Sequence, residues 1–171
     1  MTKRERVVSA IQQKEPDCIP SCFTMHFPAD CANGEKAIQA HVDFLEKTDV
    51  DILKIMNENL VSYDRDLNTV EDYCSFPAFT GEEPMLVKQI ELTKQILDRV
   101  PGDCFTLGTL HSVGTSAMYH PFKRMGYGYD KSREVFDGWL KNNSDRVLDT
   151  MKRITDGLCI LAQRYVEAGL D

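Results

Sequence analysis

Hydrophobic positions along the chain alternate between two spacings, and this alternation predicts an α/β fold. Short apolar runs occur at 19–27, 50–56 and 104–110. In the first run the apolar residues fall on both faces, as a buried parallel strand requires. Around these runs, apolar residues recur every three or four positions, which is typical of helices with one buried face. The sequence therefore predicts three parallel strands with flanking helices.

Residues that begin or stop a helix place the helix boundaries. Thr2 and Glu5 have the spacing of a capping box, and Pro16 ends the helix that follows. Pro84 suits the first position of a helix, and Gly169 suits the position just after the last helix. Besides the first, we expect helices over four ranges: 33–47, 84–100, 132–142 and 145–168.

Two long stretches, 59–84 and 111–130, lack clear periodicity. The first carries several aromatic residues and the second is rich in Gly, Tyr and His. A connection as long as 59–84 is usually a functional loop. We expect 111–130 to be another loop.

Charge and composition narrow the function classes. The net charge is −7 and no segment forms a basic stripe, so we expect no nucleic-acid partner. There is no apolar run of about 18 residues or more, so we expect no membrane span, and the charged N-terminus lacks the apolar core of a signal peptide. We expect a cytoplasmic protein whose six cysteines are free thiols, because none form a CxxC pair.

Reactive groups in a parallel α/β fold collect where strands end, at their carboxyl ends. Here those positions and the loops after them hold imidazole, carboxylate, amide and phenol groups. Such groups could perform acid–base chemistry or ligate a metal. The candidates are His26, Asn57, Glu58, His111, Tyr119 and His120.

Plainer roles are open for the same residues. His26 could bond to backbone, Glu58 could be a solvated loop carboxylate, and His120 could shape a turn with Pro121. His41 lies in the middle of a predicted helix, and we expect it to be exposed.

Four segments resemble the uroporphyrinogen decarboxylase superfamily. They are TKRERVVSAIQQKEPDCIP, VDILKIMNENL, GTSAMY and YVEAGLD. The resemblance implies a (β/α)8 TIM-type barrel, of which residues 1–171 are a single, incomplete N-terminal portion, since a whole barrel needs roughly 250 residues. It also implies that Glu58 matches the catalytic Asp of true decarboxylases and Tyr119 their active-site Tyr.

The resemblance leaves three functions open. True decarboxylases carry an R-Q-A-G-R stretch after the first strand, whereas MHFPADCANG here has no arginine to hold substrate carboxylates. This favours a methyltransferase paralogue acting in tetrapyrrole- or corrinoid-linked methyl transfer over a porphyrin-forming carboxy-lyase. The third reading is a non-catalytic fragment that acts by association with another chain.

Roles for the candidates follow from these readings. We expect Glu58, Tyr119 and His111 to be catalytic, with His26, Asn57 and His120 binding substrate. The resemblance implies a corrinoid (cobalamin) protein as partner. It also implies that zinc ligands, where the superfamily has them, lie in the C-terminal half of the barrel, so we assign no metal to these residues. An incomplete barrel also leaves sheet edges open, so we expect a homo-oligomer or pairing with a missing half.

Overall fold

The computed structural model describes residues 1–171 and shows an α/β chain that is mostly helical. Its sheet has two parallel strands, β1 (Ile52–Ile55) and β2 (Phe105–Gly108), paired in register from Ile52 opposite Phe105 to Ile55 opposite Gly108. The helices are α1 (Lys3–Ile11), α2 (Gly34–Thr48), α3 (Val70–Cys74), α4 (Pro84–Leu97), α5 (Val113–Met118), α6 (Tyr129–Asn142) and α7 (Ser144–Glu167), with 3₁₀ turns at Ala29–Cys31 and His120–Met125.

The first predicted strand, 19–27, is not a strand, and this part of the prediction is wrong. Only Ser21 meets β1: its carbonyl accepts from the N–H groups of Asp51 and Ile52, both at 3.1 Å. The N–H of Ser21 donates instead to the Asp51 carboxylate at 2.7 Å, and Pro20 has no N–H to offer. Because these donors are missing from any ladder, the segment stays unpaired, and the side chains of Ile19, Phe23 and Met25 are exposed.

A carboxylate cluster holds the start of this segment beside the sheet. Arg6 in α1 donates to both oxygens of Asp17, at 2.7 and 3.0 Å, and also to Asp51. The Arg6 guanidinium holds the pKa of Asp17 well below its usual range. These bonds fix the backbone of residues 17–21 beside β1.

The predicted boundaries of the four later helices are confirmed to within three residues, whereas α1 ends at Ile11, five residues before the Pro16 that was expected to end it. Thr2 and Glu5 form the capping box of α1, and α4 begins at Pro84. After α7, Gly169 takes a φ of +98°, and the N–H groups of Gly169 and Leu170 bond to the carbonyls of Val166 and Tyr165. That pair of bonds is the usual glycine stop of a helix.

The chain divides into two compact units, each built from separate stretches. Unit 1 consists of Met1–Asn59, Lys88–Thr109 and Gln163–Asp171, and unit 2 consists of Leu60–Val87 and Leu110–Ala162. The core of unit 1 is aliphatic and packs α2 and α4 residues around the sheet. The core of unit 2 is rich in aromatic residues and includes the side chains of Tyr73, Phe122 and Phe136. No helix of the chain has the length and apolar character needed to cross a membrane.

Candidate functional site

His26 and Glu58 form a direct pair in unit 1. Nδ1 of His26 lies 2.7 Å from Oε1 of Glu58, and both line a cavity of about 240 Å³. The His26 side chain is 74% exposed and the Glu58 side chain 29%, so the imidazole can meet a solute while the carboxylate is partly shielded. The other lining residues are Phe27, Pro28, Ala29, Cys31, Ala32, His41 and Met56.

The position of Glu58 is fixed by amides on either side of it. Asn57, buried, donates through its side chain to the carbonyl of Thr109 at 3.4 Å and accepts from the N–H of Asn59 at 2.9 Å. The Asn59 amide donates to Gln89 at 3.0 Å and to Asn33 at 2.9 Å. Buried amides that are bonded this fully favour one backbone path, so the loop after β1 presents Glu58 in a defined place.

Gln89 links this network to Met56, the residue that follows β1. Its side-chain amide, fully buried on α4, donates to the carbonyl of Met56 at 3.1 Å while its oxygen accepts from Asn59. The carboxyl end of β1 is thereby tied to a neighbouring helix through side chains as well as through the sheet. All of these bonds are made within the protein, so the network positions Glu58 without requiring a bound substrate.

His41 is buried at 1% exposure, so the expectation that it is exposed is wrong. Its Nδ1 lies 2.7 Å from the carbonyl of Ala37, and its Nε2 accepts from the N–H of Met56 at 3.0 Å. These partners assign the neutral ring with its proton on Nδ1. Burial is the main cause that lowers the pKa of His41 below its usual value.

His41 is therefore a wall of the cavity and a link from α2 to β1, and sequence reasoning missed it. The signal was present, since Ile38, His41 and Leu45 have the spacing of one helix face and all three are buried. Phe27 packs on the His41 ring at 4.8 Å between centroids, edge to face. That contact holds the residue next to His26 against unit 1, although the segment before it is unpaired.

His111 and His120 come together in unit 2. Their ring centroids are 4.7 Å apart and their planes are nearly perpendicular. His120 is 6% exposed, and its Nδ1 has no hydrogen-bond partner within the protein. Burial, with smaller contributions from His111 and Lys123, lowers the pKa of His120 to about 4, so the ring is neutral near pH 7.

Tyr119 lies beside this histidine pair, at the end of α5. Its ring centroid is 6.1 Å from that of His120 and 5.7 Å from that of Tyr129, and Nζ of Lys123 is 5.8 Å from the ring centroid. The 3₁₀ turn that begins at His120 contains Pro121, as the turn reading of this dipeptide predicts. The candidates thus form two groups, His26 with Glu58 and Asn57, and His111 with Tyr119 and His120.

Metal-binding side chains do not gather anywhere in the chain. No group of three or more His, Cys, Asp or Glu side chains could hold a metal ion. The six cysteines are free thiols, of which Cys104 is buried and Cys31 lines the unit 1 cavity.

Comparison with known proteins gives a likeness of fold. No family model matches the sequence, and no curated protein matches it. A solved structure of a methyltransferase from Methanosarcina mazei is similar, with a TM-score of 0.62 at 16% sequence identity. The match covers 100% of this chain and 57% of that one, so the chain spans little more than half the length of the similar protein.

Proposed function

We propose that this chain is part of a (β/α) barrel of the uroporphyrinogen decarboxylase type and serves methyl transfer, with the His26–Glu58 pair as its acid–base centre. The observation that carries the proposal is the composition of the cavity around this pair. It has an imidazole and a carboxylate in contact, but its lining contains no Lys or Arg. The similar fold of a methyltransferase supports the same choice.

The absence of cations from the lining favours methyl transfer over decarboxylation of a porphyrinogen. A substrate with many carboxylates has to exchange its hydration for charged hydrogen bonds, which arginine supplies best. Neither the lining nor the MHFPADCANG segment provides an arginine. A neutral or weakly polar substrate has no such requirement.

The chemistry assigned to the pair is removal of a proton from the methyl acceptor. In transfer to a thiol, the sulfur attacks the methyl carbon, the S–C bond forms, and the bond from the methyl group to its donor breaks with the electron pair leaving on the donor. The acceptor's proton passes to Nε2 of His26, whose Nδ1–H donates to Glu58. The carboxylate then stabilises the imidazolium that has formed.

A corrinoid is the methyl carrier that the superfamily resemblance implies, and it would supply an activated methyl group when bound. The cavity of about 240 Å³ is smaller than the roughly 300–1,000 Å³ of pockets that enclose drug-sized ligands. A macrocycle therefore does not fit inside it, whereas a small thiol does. The residues present fit the acceptor, with Glu58 and His26 as its proton-handling groups.

The test uses the purified 171-residue chain with ¹³C-methylcobalamin as donor and 2-mercaptoethanol as acceptor, with thioether formation followed by ¹³C NMR. We expect His26→Gln to lower the rate by about 10²-fold, the lower range for loss of a general base. Glu58→Gln, which keeps the shape but loses the charged hydrogen bond, should lower it about tenfold. Glu46→Gln, an exposed carboxylate of α2 outside the cavity, is the matched control and should leave the rate unchanged.

Two results would contradict the proposal. One is no thioether above the rate without protein. The other is thioether formation that the His26 and Glu58 variants do not slow relative to the Glu46 control. Release of CO₂ from uroporphyrinogen under the same conditions would instead support the decarboxylase reading.

A further inference from the structure

A second, larger cavity lies within unit 2, apart from the residues assigned to methyl transfer. Its volume is about 550 Å³, in the range of pockets that bury most of a small organic ligand. All of its lining comes from the aperiodic stretch after β1 and the first residues of α4. The lining residues are Ser62, Tyr63, Asp64, Arg65, Ser75, Phe76, Pro77, Phe79, Glu83, Pro84 and Met85. We call it the aromatic pocket.

Three aromatic rings form a continuous wall of the aromatic pocket. The ring centroids of Tyr63 and Phe76 are 4.7 Å apart, and those of Phe76 and Phe79 are 5.4 Å apart. Tyr63 is held by its hydroxyl, which donates to the carbonyl of Tyr73 at 2.8 Å. Burial raises the pKa of Tyr63 above its usual value, so the ring remains neutral. The wall is therefore fixed, apolar and uncharged.

The charged residues of the lining are already paired. Arg65 donates to both oxygens of Asp64, at 2.9 and 3.3 Å, and both side chains are exposed at the rim. Glu83 accepts from the N–H groups of Thr80 and Gly81, at 2.7 and 2.9 Å, in the turn before α4. The remaining lining is proline, methionine and serine. Each charged group of the lining thus already has hydrogen-bond partners, and one arginine against two carboxylates leaves a formal net charge of −1.

We propose that the aromatic pocket binds a small, neutral, aromatic molecule. Aromatic rings attract one another in offset or edge-to-face arrangements beyond the gain from burial alone, and three adjoining rings offer several such positions. The net charge of −1 disfavours an anion, and because Asp64 and Glu83 already have partners, neither carboxylate is free to offset the desolvation of a cation. This inference does not depend on the His26–Glu58 chemistry, because the two cavities share no residue.

Indole is the probe, and saturation-transfer NMR on the ligand measures its binding to the 171-residue chain. Ser62→Trp and Ser75→Trp each place a bulky ring at an exposed position of the lining. We expect either variant to weaken indole binding about tenfold or more, the loss that follows when a buried ring is excluded. Lys141→Trp adds the same ring on the exposed side of α6, outside the pocket, and should bind indole as the wild type does.

The outcomes separate cleanly. Weakening by both serine variants, with the control unchanged and all three showing the wild-type circular dichroism spectrum, supports the pocket. No detectable saturation transfer at millimolar indole overturns the proposal, and so does equal binding by the serine variants and the wild type. Displacement of indole by the anion indole-3-acetate at equal or lower concentration would overturn the requirement for a neutral ligand.

Discussion

Replacing Gly157 by alanine should destabilise unit 2, although alanine is ordinarily the better residue inside a helix. Gly157 is buried in α7, and a Cβ atom placed on it would lie 2.5–2.6 Å from three atoms of the Phe79 ring. Non-bonded carbon atoms rest about 3.5–4.0 Å apart, so either the ring or the helix has to move. The Phe79 ring packs on Phe76 at 5.4 Å between centroids, and this contact limits how far the ring can move away from α7.

Two opposing contributions set the size of the effect. Alanine gains about 1 kcal/mol over glycine in a helix interior, whereas overpacking a well-filled site costs about 1–3 kcal/mol. The net expectation for Gly157→Ala is a loss of up to about 2 kcal/mol in the free energy of unfolding. Gly138 in α6 is the matched control, because it is exposed and a Cβ there meets nothing within 4 Å. Gly138→Ala should therefore stabilise by about 0.5–1 kcal/mol.

The assay is urea unfolding followed by circular dichroism, on both variants and on Gly157→Ala combined with Phe79→Leu. A smaller side chain at 79 removes the clash, so we expect a favourable coupling between the two substitutions of about 0.5–3 kcal/mol. The reasoning is refuted if Gly157→Ala is as stable as Gly138→Ala, or if the double variant shows no coupling. Because Phe79 also lines the aromatic pocket, Gly157→Ala should in addition weaken indole binding.

Three further expectations follow. Acid should destabilise the chain through His120. Because the pKa of His120 is lower in the folded state, the unfolded state takes up the proton first as the pH falls. The free energy of unfolding should therefore fall by about 2–3 kcal/mol between pH 6.5 and pH 4. His120→Gln should flatten the plot of unfolding free energy against pH between 4 and 6.5, and an unchanged slope would contradict this. His41→Leu should cost about 1–3 kcal/mol in urea unfolding, because it leaves the buried N–H of Met56 without an acceptor, whereas Gln39→Leu on the exposed side of α2 should cost little. The chain should self-associate through the side chains of Phe23 and Met25, which are 61% and 51% exposed. Replacing both with serine should lower the mass measured by light scattering toward that of the monomer. A wild-type chain that stays monomeric at high concentration would argue against this association.

Sequence signals that act over a few residues predicted the structure well. The capping box of Thr2 and Glu5, the position of Pro84 and the stop at Gly169 each depend on neighbours within one helical turn, and each is present. The short helix α3 shows how such a signal can be overlooked. Thr69 and Asp72 form a capping box, but five residues are too few for periodicity to reveal the helix.

Sequence reasoning failed where a distant partner decides the outcome. Ser21 gives its N–H to the carboxylate of Asp51, thirty residues away, and this bond replaces the ladder that the apolar pattern of 19–27 predicted. The burial of His41 likewise depends on the Met56 N–H that its ring accepts. The pairing of His26 with Glu58 was within reach because both residues were placed near the sheet edge, yet His26 arrives there on an unpaired segment.

The two members of the His26–Glu58 pair are held to very different degrees, and this difference bears on how the site can diverge. Moving Glu58 would disturb several buried amide bonds at once, through Asn57 and Asn59. Moving His26 disturbs few, because residues 22–26 make no ladder bonds and the imidazole is largely exposed. During evolution the position of the Glu58 carboxylate should therefore change little, whereas the segment that carries His26 can change with little loss of stability. Substitutions that adapt the pair to a new acceptor should therefore accumulate at 22–28 and spare 57–59.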